Sequence, residues 1–202
     1  MEEGADLRPK GPGGLWLIFD FDGTLAWLVV DWRSLRAKLE ALYGSLRGRP
    51  LFSWLQERGK RGLEVEGALE LIKKAELGSL DRLVFDYELV NLLKELKARG
   101  ARMALVSMQD DEVLTRALKI MGAEGLFDMV IGRGTELFRT SQLLSVLNRW
   151  GISPEQAIFI SDSPHDVEIG LEIGLNVKRL FFLDGSLKRW LKELLISLDR
   201  DE

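Results

Sequence analysis

From Leu89 onward the chain repeats one pattern, a short apolar run followed by an amphipathic helix, and this restricts the fold more than any other feature. Leu89, Val90, Leu92, Leu93 and Leu96 share one helix face that closes at Gly100. Residues 103–106 then form an apolar strand stopping at Ser107. Helices are expected over 111–121, 141–150, 165–173 and 187–198, and strands over 128–131, 157–160 and 177–182. Strands and helices alternating through short connections build βαβ units, so the fold class is α/β with a parallel, Rossmann-like sheet.

One strand stands apart from this series. Residues 15–19, LWLIF, read as a strand buried on both faces, because such a strand need not alternate apolar with polar. Between it and Leu89 the texture is helical. Trp32, Leu35, Leu39 and Leu42 recur at helical steps, Leu51, Phe52, Trp54 and Leu55 mark a second helix after Pro50, and Leu63, Ala68, Leu69, Ile72 and Ala75 a third ending at Gly78. No strand is expected between Trp27 and Phe85. The division that follows is a flexible leader over 1–14, an α/β core from 15–26 and 87–202, and a helical insertion over 27–86.

Composition removes several chemistries. The chain has no cysteine and a single histidine, His165, which excludes disulfides, thiolate chemistry and a multi-histidine zinc site. A net charge of -4 supplies no basic face for nucleic acid. The leader, MEEGADLRPKGPGG, lacks the apolar core of a signal peptide, and no apolar run approaches the ~20 residues that cross a bilayer. A cytoplasmic protein without membrane contact is expected; the sequence leaves the oligomeric state open.

Three apolar strands end in polar residues: Asp20, Ser107 and Asp162. Ligands of open parallel sheets bind at the carboxyl ends of strands, so the three converge by fold logic. Asp22 follows Asp20 by two and Asp166 follows Asp162 by four, returning to the same side of a starting helix. Asp and Gly are also ordinary turn residues, so the Asp20–Gly23 stretch read alone could be only a solvated turn. Four carboxylates on one sheet edge repel each other, and a hard, oxygen-preferring cation, Mg²⁺ above all, resolves that repulsion. Carboxylate-held Mg²⁺ is a usual setting for phosphoryl transfer, in which one carboxylate can attack phosphorus and another can move protons. Ser107 could donate a hydrogen bond to a phosphate oxygen.

These residues resemble the haloacid dehalogenase superfamily. Asp20-Phe21-Asp22-Gly23-Thr24-Leu25 resembles its first motif, Leu105-Val106-Ser107 its second, and Ser161-Asp162-Ser163-Pro164-His165-Asp166 its fourth. The resemblance spans residues 15–185 and is closest to the phosphoglycolate phosphatase-like branch. It implies that Asp20 is nucleophile and metal ligand, and that Asp22 is general acid/base with its carbonyl on the metal. It also implies that Asp162 and Asp166 complete the Mg²⁺ site, and that the helical insertion is a cap closing over small phosphorylated metabolites. The activity implied is Mg²⁺-dependent phosphate monoester hydrolysis through an aspartyl-phosphate.

The third family motif supplies a lysine, and this chain has none between Val130 and Gly151. Arg139, in Phe138-Arg139-Thr140-Ser141, falls at its position and is the expected phosphate-binding cation; Arg133 is the second candidate. His165 reads as a surface residue beside the site, Asp110 and Asp111 as favouring the start of the next helix, and Lys73 and Lys74 as a solvated face. A phosphomutase and a non-catalytic phosphate- or metal-binding module are the competing readings.

Overall fold

A computed structural model describes residues 14–199, so the expected leader lies outside the described residues except for Gly14. Five parallel strands form one sheet: β1 (Trp16–Phe19), β2 (Arg102–Val106), β3 (Met129–Ile131), β4 (Ala157–Ser161) and β5 (Asn176–Arg179), in spatial order β3-β2-β1-β4-β5. The central strand β1 pairs with β2 on one side, Phe19 opposite Leu105, and with β4 on the other, Phe19 opposite Ile160. The chain therefore leaves β1 toward one edge and later returns to build the other. The ends of β1, β2 and β4 lie side by side where that reversal occurs.

Because successive strand residues face opposite sides, the sheet sorts its apolar residues into two layers. Leu17 and Phe19 of β1 and Ile158 and Ile160 of β4 join a core with α4 (Tyr87–Ala98), α5 (Asp111–Met121) and α8 (Ser186–Asp199). Ile18 and Phe159 face the other way, toward Leu143, Val146 and Leu147 of α6 (Arg139–Trp150) and Ile169 and Ile173 of α7 (Pro164–Ile173). This explains why the strand runs are apolar throughout. No helix among the described residues is long and apolar enough to cross a membrane.

Between β1 and α4 come three helices, α1 (Trp32–Tyr43), α2 (Leu51–Lys60) and α3 (Glu66–Leu77). Asp31 caps α1 by accepting from the Ser34 amide at 3.0 Å. The three helices bury their own cluster, with Leu39, Leu55, Ala68 and Ile72 fully enclosed. The region contains no strand among the described residues, but Trp27 and Val84 form one antiparallel bridge that closes its two ends together.

Two of the boundaries that differ from expectation bear on the site. Helix α6 starts at Arg139, two residues early, because its N-cap Phe138 has no side-chain acceptor and so leaves no capping signal in the sequence. Strand β5 stops at Arg179 opposite Ser161, the last residue of β4. Beyond it the chain turns toward the first loop, where the Phe182 amide donates to the Gly23 carbonyl at 2.9 Å.

Candidate active site

The loop after β1 carries Asp20 and Asp22 on a tight turn. The Asp20 amide continues the sheet by donating to the Ile160 carbonyl at 2.9 Å, while the Leu25 amide donates back to the Phe21 carbonyl at 2.9 Å. The Asp22 carboxylate accepts from the Leu28 amide at 2.8 Å. Asp162 follows β4, and its amide donates to the Thr24 hydroxyl at 3.0 Å, so the two loops are tied at their bases.

Gly23 sits between them with φ of +85°, and a Cβ there would meet three atoms of the Asp162 carboxylate within 2.9 Å. Gly23→Ala therefore strains the backbone and displaces Asp162 together, and should cost about 1–3 kcal/mol or more, read as a fall in thermal unfolding temperature. An unchanged melting curve would mean that the loop does not adopt this conformation.

Arg139, buried at the first turn of α6, joins the two halves of the site. Its Nη2 lies 2.7 Å from Asp20 Oδ1 and 2.9 Å from Asp166 Oδ2. Nη1 donates to Gln142 Oε1 at 2.9 Å, and Gln142 Nε2 in turn donates to the Ser107 and Glu136 carbonyls at 2.7 and 2.9 Å. Nε is buried with no partner. Gln142, one helical turn from Arg139, was not singled out by the sequence, because its role depends on where α6 begins.

One guanidinium does not balance these acids. Burial pushes Asp20 up from the usual 3.8 to about 8; Arg139 opposes the shift, and Asp166 and Asp162 add to it. Burial also lifts Asp22 to about 6, against the Leu28 amide, with Asp162 and Glu76 contributing repulsion. Asp162 is raised, again chiefly by burial. The site is short of positive charge.

The remaining predicted residues fall as follows. Ser107 directly follows β2 but is fully buried, and its hydroxyl donates to Gln109 Oε1; Gln109 Nε2 lies 3.5 Å from Asp22 Oδ2. Gln109, not Ser107, reaches the cavity wall. Arg133 does not approach Asp20. It forms a buried two-point pair with Glu76 of α3, at 2.7 and 2.8 Å, and donates to the Met108 carbonyl at 2.6 Å. Lys73 is half-buried and bridges Asp110 and Glu112 at the start of α5 at 3.1 and 2.9 Å, whereas Lys74 is solvated as expected. Asp110 caps that helix through the Glu112 amide, and Asp111 accepts from the Gly132 amide at 2.7 Å. His165 is exposed, as expected.

Glu76 and Arg133 pin α3 to the loop after β3. Removing one partner strands a buried charge, so Arg133→Ala should cost about 3–5 kcal/mol in denaturant unfolding. The double change Glu76→Leu with Arg133→Met should recover most of that loss. A single variant as stable as the wild type would contradict the pairing.

Above the carboxylates lies a cavity of about 660 Å³, bounded by Asp20, Asp22, Asp162 and Asp166 on the sheet side and by Trp32, Leu51, Phe52 and Gln56 on the insertion side. Among the described residues, no three acidic or histidine side chains already converge as a metal cage. Two causes are visible: Arg139 stands between Asp20 and Asp166, and the Asp22 carboxylate turns to the Leu28 amide. What the cavity leaves for a cation is oxygen alone, from the Asp20 and Asp162 carboxylates, in a site that lacks positive charge. That set fits Mg²⁺.

A sequence profile of the family described as haloacid dehalogenase-like hydrolase matches residues 45–179. The chain belongs to that family. A phosphoglycolate phosphatase of Aquifex aeolicus is 30% identical over 43% of this chain and 42% of its own length. The pyrophosphatase PpaX of Halalkalibacterium halodurans is 27% identical over 79% of this chain and 80% of its own. In fold, a haloacid dehalogenase-like family hydrolase from Streptococcus pneumoniae superposes with a TM-score of 0.64 at 18% identity, covering 92% of this chain and 98% of that one.

Proposed function

We propose that this hydrolase is a Mg²⁺-dependent phosphatase that cleaves small phosphate monoesters through an aspartyl-phosphate on Asp20. The observation that carries the reading is the buried Asp20–Arg139–Asp166 contact at the floor of a 660 Å³ cavity, with Asp22 and Asp162 alongside. Relatives named as a phosphoglycolate phosphatase and a pyrophosphatase support phosphorus chemistry.

Asp20 attacks phosphorus as the P–O bond of the ester breaks, and protonated Asp22 gives its proton to the departing alkoxide. Burial favours that protonated form of Asp22. Water then attacks the phosphoryl group, losing a proton to Asp22, and the P–O bond to Asp20 breaks to release inorganic phosphate. Asp20, Asp162 and the Asp22 carbonyl would hold Mg²⁺, which neutralises charge on the phosphoryl oxygens. Arg139 fixes the Asp20 carboxylate through Nη2, and its guanidinium is the cation that the cavity wall offers to the phosphoryl group. Gln109 would relay Ser107 to the phosphate.

Residues 27–86 act as a cap, walling the cavity with α1 and α2 and keeping water from the acyl phosphate. No membrane or nucleic acid takes part, and the setting is the cytoplasm.

Release of phosphate from 4-nitrophenyl phosphate, measured with Mg²⁺ and with chelator, tests the reading. Continuous, metal-dependent release is expected. Release that needs a sugar bisphosphate would point to a mutase instead, and Mg²⁺ binding without turnover to a binding module.

A further inference from the structure

The cavity wall away from the carboxylates is apolar and aromatic: Trp32, Leu51 and Phe52 come from the insertion, and Met108, Phe138 and Ile169 from the core. Trp32 and Phe52 also pack on the insertion's own core, so each presents one side to that core and another to the cavity. Ser53 and Gln56 add polarity without charge, and one N–H of Gln56 donates to the Leu137 carbonyl at 3.1 Å.

Charge is distributed against a second anion. Arg139 is the one lysine or arginine among the described residues lining the cavity, and it is held by two carboxylates. Arg133 stands behind the Phe52 ring, 5.7 Å from its centroid, and is bound by Glu76. Lys73 is bound by Asp110 and Glu112. Lys60, exposed, stands over the Phe138 ring outside the lining, and His165 at the mouth is the remaining group that can become cationic.

Four aspartates against one guanidinium and one divalent cation leave no positive charge in excess. A phosphoryl group uses what there is. A second carboxylate or phosphate on the substrate would be desolvated against aromatic rings with no partner. A neutral apolar group would instead gain burial on the same surface.

Resting on the phosphatase reading, we propose that this pocket selects phosphate monoesters of uncharged, apolar alcohols over substrates with a second anionic group, such as phosphoglycolate and inorganic pyrophosphate. Specificity would then differ from the names of the relatives although the fold is shared, and Phe52 would be its main determinant.

The test compares kcat/KM for 2-phenylethyl phosphate, phosphoglycolate and pyrophosphate on the full chain with Mg²⁺. The first and second release similarly basic alcohols, so leaving-group reactivity does not decide the outcome. At least a tenfold preference for 2-phenylethyl phosphate is expected over either. Phe52→Ala should raise its KM roughly tenfold with kcat little changed, since the ring binds ground and transition states alike. Should that variant fold poorly, Ser53→Arg serves: it adds a cation at the wall and should raise kcat/KM for phosphoglycolate at least tenfold. A preference below tenfold, with all three substrates cleaved, overturns the pocket assignment and leaves the phosphatase standing. No phosphate from any of the three overturns the phosphatase reading and this inference with it.

Discussion

Asp20→Asn lowers phosphate release by roughly 10³-fold or more while leaving the chain folded, if Asp20 is the nucleophile. Asparagine keeps the shape of the side chain and its hydrogen bond to Arg139 but cannot form the acyl phosphate. The structural consequence runs opposite to the catalytic one. Burial raises the Asp20 pKa from 3.8 to about 8, so its charge is a cost to the folded state. For a carboxylate shifted upward, that cost is absent below the unfolded value, sets in as pH rises through it, and is complete above the folded value. In chelator, the wild type should therefore lose stability relative to Asp20→Asn between about pH 4 and pH 8. Mg²⁺ at several times its dissociation constant should restore part of that loss in the wild type only. Equal thermal unfolding temperatures across that range would show that Asp20 is not buried against other acids as described.

Arg139→Ala should be the second large effect, on both activity and stability. It removes the cation 2.7 Å from Asp20 and 2.9 Å from Asp166 and leaves Gln142 Oε1 without its donor. Deleting one member of a buried ion pair costs about 3–5 kcal/mol, less whatever the carboxylates recover by taking up protons. Turnover should fall by roughly 10²-fold or more, because the nucleophile loses its orientation and the phosphoryl oxygens lose a donor. Arg139→Lys separates the two losses. A lysine can reach one carboxylate as a point charge but cannot hold Asp20, Asp166 and Gln142 in one plane. Stability should therefore return further than turnover. Full activity in Arg139→Ala, measured as phosphate release, would contradict the role given to it.

The parts of this fold that the sequence made legible are those set by short-range physics. Strands buried on both faces read as apolar runs, and β1, β2 and β4 stand where LWLIF, the run before Ser107 and the run before Asp162 placed them. The convergence of Asp20 and Asp162 was expected because both end strands of a parallel sheet; the pairing of β1 with β4 brings it about, and the crowding of Gly23 against Asp162 is its local expression. What stayed hidden was set by partners distant in sequence. Nothing near Arg133 indicates that Glu76, 57 residues away, claims it, nor anything near Lys73 that Asp110 and Glu112 do. Gln142 stayed hidden because Phe138 gives no capping signal for the helix that carries it. Gln109 follows Ser107, so its approach to the cavity was legible; that its amide oxygen would take the Ser107 hydroxyl was not.

The central claim is that phosphate passes through Asp20, and acid-quenched protein tests it most directly. Wild-type enzyme turning over an aryl phosphate with Mg²⁺ should yield a peptide spanning β1 that carries one phosphoryl group on Asp20, lost on treatment with hydroxylamine. Phosphate released steadily with no such adduct, or an adduct that survives in Asp20→Asn, would contradict the account.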